Sequence, residues 1–261
     1  MALLELKEIT MQFGGLTAVD HLDLRLEEGV IFGLIGPNGA GKTTVFNLVT
    51  GVYKPTSGSI YFKGERIDGK PPYSITAMGI SRTFQNIRIF KSLSALDNVK
   101  IGRHCKSSMN LFHSVIPGPF TAREERDIEE KSMEYLRMVG LEHKKDILSK
   151  NLPYGEQRRL EIARALACEP KILLLDEPAA GMNRQEKTEI MDLVRRIRDT
   201  LGVTVFLVEH DMKVVMGVSE TVAVLDYGKK ICEGTPSQVQ SDERVIEAYL
   251  GRRARRTRKA V

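Results

Sequence analysis

Four apolar stretches, residues 30–35, 172–175, 203–208 and 222–225, run without polar alternation. Strands buried on both faces read this way, because a parallel sheet carries helices on each side. Residues 3–11 and 59–63 predict shorter strands, the second following a turn cluster of Pro55, Thr56, Ser57 and Gly58; together they predict an antiparallel edge beside the core. Between Asp97 and Leu152 no strand-like run occurs, and residues 123–139 show helical periodicity with dense charge that includes Glu124, Glu125, Glu129 and Glu130. Residues 106–119, with Ser107, Ser108, Pro117, Gly118 and Pro119, predict a loop. The expected fold is α/β: a mostly parallel sheet, an antiparallel β edge subdomain and an inserted α-helical subdomain. One domain spans residues 1–251, with residues 1–96 and 153–251 as the core and 97–152 as part of the insertion.

Gly36, Pro37, Asn38, Gly39, Ala40, Gly41, Lys42 and Thr43 follow the spacing GxxxxGK[ST]. They lie between the predicted strand 30–35 and a helical pattern over 45–49, the context a phosphate-binding loop requires. The glycines let the backbone close around an anion with its N–H groups inward, and a helix N-terminus adds positive potential. Lys42 is expected to reach the β- and γ-phosphates, Thr43 to offer its hydroxyl to Mg²⁺, and Thr44 to add one more donor. Residues 173–177, LLLDE, end a hydrophobic strand with two acids, at the carboxyl edge where open α/β sheets bind ligands. Asp176 is expected to hold Mg²⁺ through water, and Glu177 to orient or deprotonate an attacking water. The chemistry so predicted is binding and hydrolysis of a nucleoside triphosphate on a P-loop NTPase core.

Residues 151–166, NLPYGEQRRLEIARAL, resemble the ABC ATPase signature, usually LSGGQ followed by a basic, apolar helix. The match covers Leu152, Gly155 and residues 159–166. A glycine just before a helix N-terminus makes a second anion site. FGGLTAV at 13–19, GISRTFQ at 79–85, PAAGMN at 178–183, EHDM at 209–212 and the ending GTPSQV…AYLG are similar to LivG-type ATP-binding subunits of branched-chain amino-acid importers. The resemblance implies that Gln85 contacts Mg²⁺ and the lytic water, that His210 touches the γ-phosphate, and that Gly155 and Glu156 meet ATP held by a second subunit. Phe13 stands where an aromatic residue often stacks on adenine, although an aromatic beside a strand is as often core packing. Three positions depart from the family pattern: Pro153 for serine, Tyr154 for glycine, and Asn183 for aspartate in the D-loop.

The same resemblance implies ATP and Mg as cofactors and a head-to-tail pair with a second ABC ATPase subunit, paralogous or identical. That pair would sit beneath two transmembrane permease subunits served by an extracytoplasmic substrate-binding protein, at the cytoplasmic face of a bacterial membrane. The groove between Gln85 and the helical insertion is the expected permease contact. Three other readings stand beside this one: a lipopolysaccharide-export ATPase, a soluble ABC ATPase of DNA repair or translation, and a regulatory module that binds nucleotide without hydrolysis. No second ATPase domain or coiled-coil insertion is visible, and Glu177 with His210 argues for hydrolysis.

Composition narrows the setting. A chain of 261 residues can bury a core that needs no staples. The three cysteines, Cys105, Cys168 and Cys232, lack CxxC spacing and the five histidines lack ligand spacing, which fits a reducing compartment. No N-terminal leader pattern and no apolar run near the ~18 residues of a membrane span is visible. Net charge is +5, but Arg252, Arg253, Arg255, Arg256, Arg258 and Lys259 supply all of it, and the chain up to Gly251 sums to about −1. The tail 252–261 is expected to be disordered, with contact to anionic lipid or RNA as the other reading. The body lacks the basic face of a nucleic-acid binder, so none is expected as a partner.

Overall fold

Two sheets share one layer of core between them. The computed structural model describes residues 2–106 and 119–251. The predicted loop, but for its two ends, and the basic tail lie outside the described residues. Strand β1 (Ala2–Phe13) pairs antiparallel with β2 (Leu16–Glu27) and with β4 (Ser57–Phe62), and β5 (Glu65–Arg66) completes a four-stranded sheet in the order β2-β1-β4-β5. This is the expected antiparallel edge, enlarged by β2. Leu22, Leu24 and Leu26 alternate with Asp23, Arg25 and Glu27, the period-2 pattern of a strand with one buried face.

The second sheet has six strands in the order β10-β9-β3-β8-β7-β6. These are β3 (Ile31–Ile35), β6 (Ile80–Arg82), β7 (Ile172–Asp176), β8 (Thr204–Val208), β9 (Thr221–Asp226) and β10 (Lys229–Gly234). Strands β3, β6, β7, β8 and β9 run parallel and β10 pairs antiparallel with β9. Every residue of β3, β7 and β8 is buried, which is why those stretches show no alternation. Their side chains divide between two cores. Phe32, Leu34, Leu174, Phe206 and Leu225 face helix α1 (Lys42–Val49) and the four-stranded sheet. Ile35, Leu173, Leu175, Leu207 and Val224 face the opposite helices. Each fully buried leucine or isoleucine contributes roughly 1.5–3 kcal/mol.

The remaining α-helices among the described residues are α2 (Pro72–Met78), α3 (Ala95–Arg103), α4 (Pro119–Met138), α5 (Tyr154–Leu166), α6 (Arg184–Leu201), α7 (Met212–Val218), α8 (Pro236–Ser241) and α9 (Glu243–Ile246). Helices α3, α4 and α5 pack together through Val99, Leu136, Leu160 and Ala163. Among the described residues of 97–152 only Leu148 makes a strand-like bridge, to Ser94. Helix α4 begins at Pro119, four residues ahead of the predicted start, because proline suits the first turn of a helix. Phe13 is 41% exposed with its ring 5.2 Å from that of Tyr53, so it sits at the margin of the core with one side open.

Candidate active site

Parallel strands bring their carboxyl ends to one edge, and four neighbouring strands deliver the site there. β3 leads into the loop at Gly36, β7 ends on Asp176, β8 runs into Glu209 and His210, and β6 leads through Arg82 to Gln85. Sequence order scatters these residues; strand order makes them neighbours.

The loop from Gly36 to Gly41 fits the cradle expected of it. Gly41 caps α1 with φ 105° and no side-chain cap, so the helix amides stay available. A Cβ at Gly36 would stand 2.2 Å from the Leu225 carbonyl oxygen, and one at Gly41 2.5 Å from that of Ala18; glycine is required at both. Asn38, Gly39 and Thr43 are exposed, Pro37 and Thr44 are half-buried and Ala40 is buried. Lys42 Nζ donates to the carbonyl oxygens of Gly36 (2.7 Å) and Pro37 (3.1 Å). Burial lowers its pKa, and the carboxylates of Glu177 and Asp176 oppose that shift. Both predicted acids therefore lie within electrostatic reach of the predicted lysine.

Glu177 adopts a left-handed backbone with φ 48°, a strain of about 1–3 kcal/mol that functional sites retain. Its N–H donates to Val208 O at 2.8 Å, which ties it to the end of β8. Its Oε2 accepts from Gln85 Nε2 at 3.1 Å and lies 3.4 Å from His210 Nδ1. Glu177, Gln85 and His210, predicted from segments far apart, thus meet on one carboxylate oxygen. Glu209 is buried beside them; burial raises its carboxyl pKa, and its Oε1 accepts from Ala179 N–H at 2.8 Å.

Sequence reasoning missed Arg82. Its Nη2 donates to Asp176 Oδ2 at 2.7 Å and its Nη1 to Asn47 Oδ1 at 2.6 Å. With side chains only 7% and 3% exposed, Arg82 and Asp176 form a buried ion pair. Phe46 and Phe84 flank the guanidinium at 5.4 and 5.2 Å. The arginine thereby ties α1, which starts at Lys42, to the strand that ends at Asp176. An arginine just ahead of TFQ was the available signal.

Gly155 and Glu156 are not at this edge. They line a separate cavity of about 110 Å³ with Pro153, Arg159, Met182 and Glu186, and Glu156 is held by Lys144 Nζ at 2.7 Å. Pro153 is the N-terminal cap of α5 and supplies no side-chain bond. Asn183 caps α6: its Oδ1 accepts from Glu186 N–H at 3.0 Å while Glu186 Oε2 accepts from Asn183 N–H at 2.8 Å. An aspartate could make the same cap. An apolar groove of about 350 Å³, lined by Val52, Ile75, Phe84, Phe90, Ile101 and Ala165, opens beside Gln85. From the far end of the chain, a single π-helical turn (Glu247–Gly251) brings Tyr249 beside the Gly36 amide, and burial pushes that phenol up to about 12.

Helix α5 starts at Tyr154, so Gly155 lies in its first turn and not ahead of it as expected. A phosphate loop on a parallel sheet, near a strand-end carboxylate pair, with an inserted helical unit and this second helix start, defines an ATP-binding cassette. The chain belongs to the ABC transporter family, whose description matches residues 19–180, and it is one of the ATP-binding, ATP-hydrolysing subunits. Residues 229–255 match the narrower family described as branched-chain amino acid ATP-binding cassette transporter. The chain is 44% identical to the high-affinity branched-chain amino acid transport ATP-binding protein BraF of Pseudomonas aeruginosa, over 95% of this chain and 98% of that protein. It is 42% identical to the corresponding Escherichia coli protein, LivG, over the same shares. Among solved structures, the ADP conformation of MJ1267, an ATP-binding cassette of an ABC transporter, superposes with a TM-score of 0.84 and 31% identity, covering 96% of this chain and 99% of that one.

Proposed function

We propose that this chain is the ATP-hydrolysing motor of an importer for branched-chain or related amino acids. The observation that carries the reading is the convergence of Gln85 and His210 on Glu177, within electrostatic reach of Lys42. Glu177 takes the proton of a water whose oxygen attacks the γ-phosphorus. The bond to the β-phosphate oxygen breaks, and ADP and phosphate leave. Gln85 and His210 hold the carboxylate that does this, and Lys42, freed from two loop carbonyls, neutralises phosphate charge. The exposed Thr43 hydroxyl and Asp176, whose Oδ2 is held by Arg82, would hold Mg²⁺ together with the phosphates, as suits a cation that takes few protein ligands. Bound there, it would neutralise charge on the transferred phosphoryl group. Phe13, exposed at the end of β1, is the candidate adenine contact.

Gly155 and Glu156 line a cavity that includes none of Lys42, Asp176, Glu177 or His210, which supports their meeting nucleotide on a second cassette. The apolar groove beside Gln85, with Phe90 47% and Val52 52% exposed, suits a permease helix. Among the described residues no helix is long and apolar enough to cross a membrane; the proposed place, peripheral at the cytoplasmic face, rests on the likeness to transport ATP-binding proteins. The match over residues 229–255 favours amino-acid import over lipopolysaccharide export. Glu177→Gln should keep ATP affinity while hydrolysis falls by about 10²–10⁴-fold. Near-normal phosphate release from that variant would remove Glu177 as the base and the reading with it.

A further inference from the structure

Helix α5 hides two charges. Arg158 is 0% and Glu161 1% exposed, and Arg158 Nη1 donates to Glu161 Oε2 at 2.9 Å. Apart from a 3.5 Å contact of Arg158 Nη2 with the Tyr154 hydroxyl, their other bonds go to the main chain around Gln85. Arg158 Nη1 donates to Phe84 O at 2.5 Å and Nη2 to Gln85 O at 2.7 Å. Glu161 Oε1 accepts from the N–H groups of Arg88 (3.0 Å) and Phe84 (3.4 Å). Arg164, three residues further along the same helix face, donates to Arg88 O. Two leucine-sized side chains could fill this space at less desolvation cost. What the ion pair adds is direction, since a cation meets carbonyls and an anion meets amides.

We infer that Arg158 and Glu161 are positioning residues for hydrolysis. They fix the main chain of residues 84–88 to the helix that begins at Tyr154, leaving the Gln85 side chain for Glu177. The inference rests on the proposed roles of Gln85 and Glu177. Its consequence is a link between two nucleotides: ATP of a second cassette at the start of α5 moves that helix, and the clamp delivers the movement to Gln85 at this chain's own ATP.

The test uses the full chain carrying Arg158→Met with Glu161→Leu, which keeps the volume apolar. Expected are a kcat fall of roughly 10–100-fold, the scale of a ~1 Å misplacement, and an ATP Kd changed less than about twofold. Amide hydrogen exchange should quicken at Phe84 and Arg88 while β7 and β8 stay protected. If the double variant does not fold, Glu161→Gln against Glu161→Leu decides: glutamine keeps an acceptor for both amides and should recover most of the turnover that leucine loses. Equal losses in those two, unchanged exchange at Phe84 and Arg88, or full kcat with quickened exchange would each overturn the clamp. Hydrolysis lost in Glu177→Gln but intact in the double variant would sink the clamp alone; hydrolysis intact in Glu177→Gln would sink both.

Discussion

Replacing Arg82 by methionine should be among the costliest single changes in the nucleotide core. The substitution keeps most of the apolar stem between Phe46 and Phe84 but removes the cation 2.7 Å from Asp176. The carboxylate, only 3% exposed, is left with Lys42 as a more distant cation. Breaking a buried pair from one side costs about 3–5 kcal/mol, whereas an exposed pair contributes about 0–1 kcal/mol. For a domain of this size each kcal/mol shifts the melting temperature by about 2–4 °C, which puts the expected loss at about 6–20 °C. Differential scanning fluorimetry reads this directly, and two further arms test its origin. Adding Asp176→Asn should return part of the loss, because a neutral amide needs no counter-charge. Mg-ATP should narrow the deficit, because the divalent ion brings positive charge beside the stranded acid. A melting temperature within ~1 °C of the wild type, or a double variant less stable than Arg82→Met, would refute the assignment of Arg82 as the counter-charge.

Two further outcomes follow from the same geometry. Burial raises the Glu209 carboxyl above its ordinary 4.5, so its contribution to folding is full below that value and is lost as pH rises through the raised one. Glu209→Gln keeps an acceptor for Ala179 N–H; urea unfolding should show the variant gaining on the wild type near pH 7 and losing the gain near pH 4. A difference that does not change with pH would refute burial as the cause. Pro153→Ser restores a side-chain cap at the start of α5 and should add about 1 kcal/mol of stability. It should also raise ATP turnover of the assembled transporter; unchanged turnover would mean that backbone donors already suffice there.

The core strands and the phosphate loop were legible because local physics dictates them. A strand buried on both faces has no polar residues to spare, and a loop closing on Leu225 and Ala18 has room for glycine alone. Strand β2 escaped because its pairing with β1 shifts register several times around Val19 and Leu22, so only its second half alternates cleanly. Strand β6 is three residues long, too short for any period to declare itself. The acids, Gln85 and His210 were readable as motifs, but their meeting on one oxygen is a product of strand order. Arg82 with Asp176, and Arg158 with Glu161, were unreadable for a different reason. A charge in a sequence looks solvent-facing until its surroundings are known: Asp176 lies 94 residues from Arg82, and although Glu161 is only three residues from Arg158, the Phe84 carbonyl that buries the pair is 74 residues away.

Tyr249 beside the Gly36 amide sets residues 247–251 against the start of the loop proposed to hold ATP. A purification tag or reporter fused directly after Gly251 would therefore pull on the floor of the phosphate cradle rather than hang from a remote end. A label belongs instead on the far edge of the four-stranded sheet, near Glu65.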